Sequence, residues 1–230
     1  MSKDREYKEQ LLASLDRDAL EWLHEKSIEY IKLMSYYRCA MMEIETKFKV
    51  LKEQYSIVHE RNPINSINTR LKSPDSIKEK LERFGYDSRL ETIEEKLNDV
   101  AGVRVICAFK DDVYALADAL LKQDDITLIE TKDYIKSPKE NGYRSLHMIV
   151  SIPIFLAHEK REMKVEVQLR TIAMDSWASL EHQLVYKKDV QLTAPMQAEL
   201  DECASLSEAL DEKMNNLRKS LFEQNCVIKK

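Results

Sequence analysis

Both ends of the chain carry the pattern of long amphipathic helices. Between residues 30 and 58, apolar and aromatic residues recur at alternating steps of four and three, which is the spacing of a near-heptad stripe on one helix face. A similar stripe runs from Met196 to Leu221 and follows Pro195, a residue that helices accept in their first turn. Each stripe suits either the chain's own core or a contact between subunits, and the sequence does not separate the two.

The segment between these helices mixes strand and helix patterns. Ser73 and Pro74 predict the start of a short helix that ends at Gly85, because serine caps helices and glycine accepts the left-handed conformation that closes them. Runs rich in β-branched and aromatic residues predict four strands. These strands are residues 100–109, 126–135, 143–152 and 163–171.

Two further helices are predicted beside these strands, one after the first strand and one after the last. Their apolar faces consist of Val113, Leu116 and Leu120 and of Trp177, Leu180 and Leu184, respectively. We expect Asp111 or Asp112 to cap the first of them. The order of elements predicts an α+β domain in which helices cover a mixed β-sheet, with long helices at both ends, and it leaves the strand order open.

The last predicted strand has one apolar face and one polar face. Its polar residues alternate with apolar ones and therefore point the same way. They are Lys164, Glu166, Gln168 and Arg170. Such a row is typical of a solvated sheet face, and it is equally suited to form the floor of an active site.

The strand before it begins with groups that can bind a nucleotide. Tyr143, Ser145 and His147 would share one face in period two and would offer a ring, a hydroxyl and an imidazole. Each residue alone is as well explained by an ordinary structural role. The preceding loop supplies three lysines between residues 132 and 139, which by themselves also suit a solvated loop. The combination favours a binding site at the mouth of the sheet.

A basic segment and two carboxylates complete the candidate chemistry. Arg70 and Lys72 precede the short helix, whose first turn offers Ser76 and unpaired backbone N–H groups that can receive a phosphate chain. An exposed basic helix face would give the same pattern. Asp99 precedes the first predicted strand and Glu166 lies in the last. If those strands are neighbours, the two carboxylates supply oxygen ligands that Mg²⁺ prefers.

Composition narrows the class of protein. The chain has 230 residues, of which 43% are hydrophobic, and this is enough for a globular core. Its net charge of −5 excludes a global basic coat for nucleic acid, and its three glycines exclude a Walker loop or a G-x-G-x-x-G turn. Four widely spaced cysteines argue against a zinc site or a disulfide framework. With no leader or membrane-spanning pattern, we expect a soluble cytoplasmic protein.

Four segments together resemble the synthetase motifs of the RelA/SpoT homologue family, in the same order. They are residues 70–77, 99–104, 133–147 and 166–171. The resemblance covers about residues 61–188 and extends to residues 177–182, which are similar to the helix that follows the last strand in small alarmone synthetases. One such motif alone is weakly specific, whereas the joint match is highly specific. The sequence of residues 138–142 is more similar to the RelP-like branch than to the RelQ-like branch.

This resemblance implies a nucleotidyltransferase-like fold that transfers pyrophosphate from ATP to the 3′-hydroxyl of GDP or GTP and releases AMP. It implies that ATP is held by Arg70, Lys72, Ser76, Lys80 and Arg104, with adenine between the two arginines. It implies that GDP or GTP is held by Lys132, Lys139, Asn141, Tyr143, His147 and Gln168, with guanine stacked on the tyrosine. Asp99 and Glu166 would bind Mg²⁺, and Glu166 would take the 3′-hydroxyl proton.

The same resemblance implies a homotetramer, which would give the two amphipathic ends a use. We expect three regions, namely a helical segment 1–60, a synthetase domain 61–188 and a helical oligomer contact 189–230. The chain has no His-Asp dipeptide and is too short for the hydrolase and regulatory domains of larger relatives, so we expect synthesis without hydrolysis. The competing hypotheses are a nucleotidyl transferase and a non-catalytic nucleotide or RNA sensor. The sensor would be favoured if Asp99 and Glu166 lay too far apart to share an ion.

Overall fold

The computed structural model describes residues 17–59, 61–186 and 193–228, and a five-stranded β-sheet lies at its centre. The strands are β1 (Ile64–Leu71), β2 (Ala101–Cys107), β3 (Thr127–Asp133), β4 (Leu146–Phe155) and β5 (Lys160–Thr171). Their spatial order is β1-β2-β5-β4-β3, in which β2 and β5 are parallel and the other neighbouring pairs are antiparallel. The predicted mixed sheet is confirmed, and its two parallel strands are neighbours.

Helices cover this sheet in the described part of the chain. They are α1 (Arg17–His59), α2 (Pro74–Phe84), α3 (Leu90–Lys96), α4 (Lys110–Leu121), α5 (Ile172–Glu181) and α6 (Ala194–Ile228), with a π-helical turn (His182–Tyr186) after α5. The α+β class is confirmed, although the sequence patterns do not predict β1 or α3. Polar residues interrupt the few apolar ones of β1, and α3 is too short to show a helical period. The outer ends of the predicted terminal regions, and their boundaries at residues 60 and 188, lie outside the described residues.

Helix α1 supplies one wall of the core. Its stripe is buried at Tyr37, Ile44 and Phe48, which belong to the same apolar cluster as Val105 of β2 and Leu169 of β5. Helix α4 also packs on β2 and β5. The N-terminal stripe therefore serves the chain's own core, which was one of the two uses that the pattern allowed.

Helix α2 is fixed by its two caps, as predicted. The Ser73 hydroxyl accepts a hydrogen bond from the Ser76 backbone N–H at 3.2 Å, and Gly85 closes the helix with a left-handed φ of 69°. The buried residues Ile77 and Leu81 anchor the helix on the core. These contacts fix the orientation of α2, from which Lys80 reaches Asp99 just before β2.

The predicted caps of α4 are wrong. Helix α4 begins after Phe109, which provides no side-chain cap, and the aspartates lie inside its first turn. Asp112 is 3% exposed and forms ion pairs with Arg61 and Arg218. A carboxylate held by two arginines from distant segments is not free to fold back onto the helix N–H groups. Asp112 therefore ties the segment before β1 and helix α6 to α4.

Helix α6 buries polar residues and exposes apolar ones, whereas a core helix does the reverse. Its buried residues include Asp211 and Asn215, whereas Leu210, Leu217 and Leu221 of the predicted stripe are about half exposed. The C-terminal stripe thus lies outside the chain's own core. Within the ranges that the structure describes, no helix combines the length and apolar character that crossing a bilayer requires.

Candidate active site

A cavity of about 350 Å³ opens on the polar face of the sheet, above β1, β2 and β5. Six of the predicted site residues line it, namely Arg70, Lys72, Asp99, Arg104, Glu166 and Gln168. Asn68 and Thr69 of the unpredicted strand β1 complete part of its wall. The cavity therefore brings together residues that are almost 100 positions apart in the chain.

The register of the strands explains this convergence. Arg104 of β2 lies opposite Asn68 of β1 on one side and Gln168 of β5 on the other. The same row continues through His147 of β4 to Lys132 of β3. Because residues opposite each other in a sheet share a face, five polar side chains cross the whole sheet in one line.

A second row lies two residues away along each strand and contains Glu166, the predicted catalytic residue of β5. Gly102 of β2 lies between Arg70 of β1 and Glu166 of β5. Since glycine has no side chain, nothing stands between the arginine and the carboxylate on this face. The row thus leaves open space at the centre of the cavity.

Asp99 lies at the start of β2 and is held by two lysines. Its Oδ2 lies 2.8 Å from Lys72 Nζ, and its Oδ1 lies 2.7 Å from Lys80 Nζ. Burial acts to raise the pKa of Asp99, but the two ammonium groups outweigh it and the net pKa is lowered. Asp99 is consequently ionised at neutral pH, and both predicted phosphate-binding lysines sit at the same carboxylate.

Glu166 is the second carboxylate of the cavity. Its Oε1 lies 3.3 Å from His147 Nδ1, and its Oε2 accepts a hydrogen bond from Gln168 Nε2 at 2.8 Å. Burial and the negative charge of Asp99 act to raise the pKa of Glu166, while His147 and Gln168 lower it, and the net pKa is lowered. The electrostatic effect of Asp99 on Glu166 agrees with their shared position on one cavity wall.

Aromatic residues surround the acceptor side of the site. The Tyr143 hydroxyl lies 2.8 Å from His147 Nε2, so the imidazole connects Tyr143 to Glu166. Tyr134, which is not among the predicted site residues, packs edge-on against both Tyr143 and His147. The Lys139 ammonium lies 4.8 Å from the centre of the Tyr134 ring and 5.0 Å from that of Tyr143. These rings and one cation form a cluster beside the cavity.

Arg170 and Asp175 also lie at the site, although neither is among the predicted site residues. Arg170 is 5% exposed, donates to the Tyr143 hydroxyl and lies 4.9 Å from the centre of that ring. Asp175 of α5 lies 3.1 Å from Arg170 and 3.6 Å from Arg104. Burial and the neighbouring Arg170 lower the pKa of Arg104. The alternation of β5 places Arg170 on the polar face, whereas nothing in the sequence indicates Asp175.

Some predicted positions differ from the expectation. Ser145 is fully buried, and its hydroxyl donates to the Leu169 carbonyl. Strand β4 begins only at Leu146, and so Ser145 does not share a face with Tyr143. Asn141 accepts from the Tyr143 N–H and donates to Glu181 of α5 at 3.1 Å. The Asn141 amide is therefore engaged within its own turn and with α5.

Two other predicted side chains lie at the margin. The Ser76 hydroxyl accepts from Ser73 in the first turn of α2, and Lys132 is half exposed and pairs with Glu130 at 3.0 Å. Lys132 is nevertheless placed directly opposite His147 by the strand register. Neither side chain lines the cavity.

The carboxylates of Asp99 and Glu166 fit a divalent cation such as Mg²⁺. They line one cavity and both are ionised at neutral pH. Among the residues that the structure describes, no three His, Cys, Asp or Glu side chains form a complete metal cage. Two carboxylates with substrate phosphates and waters are the arrangement by which proteins commonly bind Mg²⁺.

Comparison with known proteins gives the family. Residues 69–191, more than half of the chain, match the model of a region found in RelA/SpoT proteins. The chain is 40% identical over 185 residues to GTP pyrophosphokinase YwaC of Bacillus subtilis, covering 80% of this chain and 88% of YwaC. It is 33% identical over 191 residues to GTP pyrophosphokinase YjbM of the same organism, covering 83% and 89%. The greater identity to YwaC, which is RelP-like, agrees with the predicted branch.

Solved structures with the same fold point the same way. Small alarmone synthetase 2 of Bacillus subtilis superimposes with a TM-score of 0.76 at 38% identity, over 84% of this chain and 99% of that one. Small alarmone synthetase 1 of that organism, bound to its product pppGpp, gives a TM-score of 0.76 at 32% identity, over 84% and 97%. The chain therefore belongs to the RelA/SpoT homologue family and, within it, to the small alarmone synthetases.

Proposed function

We propose that the chain is a (p)ppGpp synthetase that transfers the β,γ-pyrophosphate of ATP to the 3′-hydroxyl of GDP or GTP and releases AMP. The observation that carries this proposal is that Asp99 and Glu166 line one cavity, together with Arg70, Lys72 and Arg104. Proteins 40% and 33% identical to this chain are GTP pyrophosphokinases. The chain acts as a synthetase without a hydrolase.

The donor ATP is assigned to one half of the site, formed by the cavity above β1 and β2 and by the adjoining helix α2. Arg70 and Arg104 lie on β1 and β2, where two guanidinium planes can enclose an adenine ring. Lys72 and Lys80 provide ammonium groups for the phosphates, and Ser76 adds the N-terminal turn of α2. This assignment is supported by the concentration of cations on one side of Asp99.

The acceptor GDP or GTP is assigned to the other half of the site, the aromatic cluster that β4 and the loop between β3 and β4 form beside the cavity. Tyr143 offers a ring on which guanine can stack, provided that Lys139 moves from the ring toward the acceptor phosphates. His147 and Gln168 hydrogen-bond Glu166 and border the same space. Asn141 and Lys132 complete the set from the loop and the sheet edge.

Asp99 and Glu166 are the residues that would hold Mg²⁺. When bound, the ion neutralises the charge that develops on the transferring phosphoryl groups. Lys72 and Lys80 now occupy both oxygens of Asp99, so their movement toward the ATP phosphates would free this carboxylate. The two lysines would then stabilise the same charge from the donor side.

Glu166 is the residue proposed to take the proton of the 3′-hydroxyl. His147 and Gln168 keep its pKa below the usual range, so the carboxylate is ready to accept a proton at neutral pH. A low pKa also makes it a weak base. Alignment of the 3′-oxygen with the β-phosphorus and charge neutralisation therefore contribute more to the rate than proton abstraction does.

We also propose that the chain forms a homotetramer in the cytoplasm. The half-exposed stripe of α6 continues into an apolar groove with Ile172 and Leu180 of α5, which supports a subunit contact on this face. Cys39, Cys107 and Cys203 are free thiols, and this supports a reducing compartment. Analytical ultracentrifugation would test the tetramer.

Two competing functions are less well supported. A non-catalytic sensor would be favoured by widely separated carboxylates, whereas Asp99 and Glu166 line one cavity. A nucleotidyl transferase would release pyrophosphate instead of AMP. The decisive experiment incubates the chain with γ-labelled ATP, GDP or GTP, and Mg²⁺, and identifies the products by chromatography. We expect label in the guanine nucleotide with stoichiometric AMP, and labelled free pyrophosphate without AMP would overturn the proposal.

A further inference from the structure

The loop between β3 and β4 carries three of the proposed acceptor-binding residues and is held internally by short bonds. The Gly142 N–H donates to the Lys139 carbonyl at 2.8 Å, and the Lys139 N–H donates to the Tyr143 carbonyl at 3.2 Å. The Asn141 side chain accepts from the Tyr143 N–H. These bonds fix the shape of the turn, but they do not fix its position relative to the cavity.

Helix α6 touches this turn at its tip. Gly142 has a left-handed φ of 79°, and a Cβ placed on it would lie 2.5 Å from the Cβ of Ala204 in α6. Ala204 is 5% exposed and packs with Trp177 of α5. A glycine therefore faces a small residue at the closest approach between the turn and the helix.

An ion pair one turn further along α6 holds the next part of the loop. Arg144 pairs with Glu208, and its guanidinium also donates to the Gly142 carbonyl at 3.5 Å. The Arg144 side chain is 16% exposed. Its neighbour Tyr143 contacts His147 and Arg170 on the cavity side. Arg144 is thus held toward α6 while Tyr143 is held toward the site.

Other contacts attach α6 to the domain independently of the loop. Asp211 accepts from the Thr171 hydroxyl, Glu212 pairs with Lys110, and Arg218 pairs with Asp111 at 2.7 Å. Loss of the Glu208 contact would therefore leave α6 in place. The contact with Arg144 bears on the loop and not on the attachment of the helix.

We propose that Glu208 is a positioning residue for the acceptor nucleotide, acting through Arg144 to set the position of Tyr143. This inference rests on the proposed function, because it takes Tyr143 to be the platform for guanine. A fixed ring binds the base without first being ordered, so its release lowers affinity for the acceptor. Among the residues that the structure describes, Glu208 pairs with Arg144 and not with a side chain of the donor half.

The test compares Glu208→Gln with Glu212→Gln. Both glutamates lie on α6, pair with a basic side chain of the domain and are similarly exposed, at 41% and 46%. For Glu208→Gln we expect the KM for the guanine nucleotide to rise about tenfold, on the scale of one lost charge-assisted contact, with the KM for ATP within about twofold. For Glu212→Gln we expect both KM values to stay near those of the wild type.

Two further measurements keep the outcome clear. The double variant Arg144→Glu with Glu208→Arg should restore much of the loss if the pair itself matters, whereas each single exchange should not. Calorimetric binding of GDP gives the same comparison without turnover. Equal rises in both KM values, or the same loss in Glu212→Gln, would overturn the role of Glu208. GDP binding by a wild-type chain that makes no product would overturn the proposed function instead.

Discussion

The two proposed halves of the site use their cations in different ways. In the donor half, Lys72 and Lys80 are both paired with Asp99. In the acceptor half, Lys139 lies over the rings of Tyr134 and Tyr143. The donor half is thus organised around one partly buried carboxylate, and the acceptor half around aromatic rings. Removing a charge should therefore damage the first more than the second, where ring contacts and loop position matter most.

The largest effects should come from the carboxylates. We expect Asp99→Asn or Glu166→Gln to lower kcat by at least about a thousandfold, because each removes a charge from the metal-binding pair with little change in volume. Circular dichroism should show the wild-type fold in both variants. Near-normal turnover in both would contradict the assignment of this cavity as the catalytic centre.

Removal of the acceptor ring should have a smaller and more selective effect. Tyr143→Ala should raise the KM for GDP or GTP about tenfold, as expected for one lost stacking contact, and should change the KM for ATP much less. Tyr143→Phe is the matched control, since it keeps the ring but loses the hydroxyl contacts with His147 and Arg170. If both nucleotides lost affinity equally, the division of the site into two halves would be wrong.

The pH dependence of stability should show how much the pairing of Asp99 with its two lysines contributes. The pKa values of Asp99 and Glu166 lie below their ordinary values of 3.8 and 4.5. A lowered folded-state pKa contributes stability above the unfolded-state value, and that contribution is lost as the pH falls through the folded-state pKa. Urea unfolding at a series of pH values from neutral to acidic should show a shallower acid decline for Asp99→Asn than for wild type. Parallel curves would mean that the lysine pairs with Asp99 contribute little.

The smallest effect on turnover is expected from the outer face of α6. Leu210→Glu with Met214→Glu places charges in the half-exposed apolar stripe and should dissociate the proposed tetramer, as sedimentation would show. Because α6 also touches the acceptor loop, any kinetic change should fall on the guanine nucleotide and not on ATP. Lys219→Ala, on the same helix but paired with Asp111, provides a control for the loss of a surface contact.

Much of the fold follows from the sequence because strong local patterns agree with the tertiary packing. The alternation along β5 correctly separates the buried Val165 and Val167 from the polar Glu166 and Gln168. The caps of α2 at Ser73 and Gly85 are local signals and are also correct. Strand order is a long-range property, so the neighbourhood of β2 and β5, on which the cavity depends, could be assumed but not predicted.

The remaining differences arise where distant contacts override local preference. Asp112 looks like a helix cap in the sequence, but two distant arginines bind it. The stripe of α6 suits either a core face or a subunit contact in the sequence, and in the structure the buried side of that helix carries Asp211 and Asn215 instead. Asp175 could not be predicted, because its contribution is an ion pair between α5, where it lies, and Arg170 of β5. These residues acquire their roles only in the folded chain.

The pairing of Asp99 with Lys72 and Lys80 bears on the order in which metal ion and donor would bind at the site. The side chains of Lys72, Lys80 and Asp99 are only 17%, 21% and 24% exposed, so dissolved salt screens their attraction poorly. A bare divalent cation must compete with two ammonium groups for the same oxygens, and it gains little by doing so. The polyphosphate of the incoming donor is the group best able to draw the ammonium groups away. In the proposed reaction, the donor substrate would therefore release the carboxylate that Lys72 and Lys80 hold in its absence.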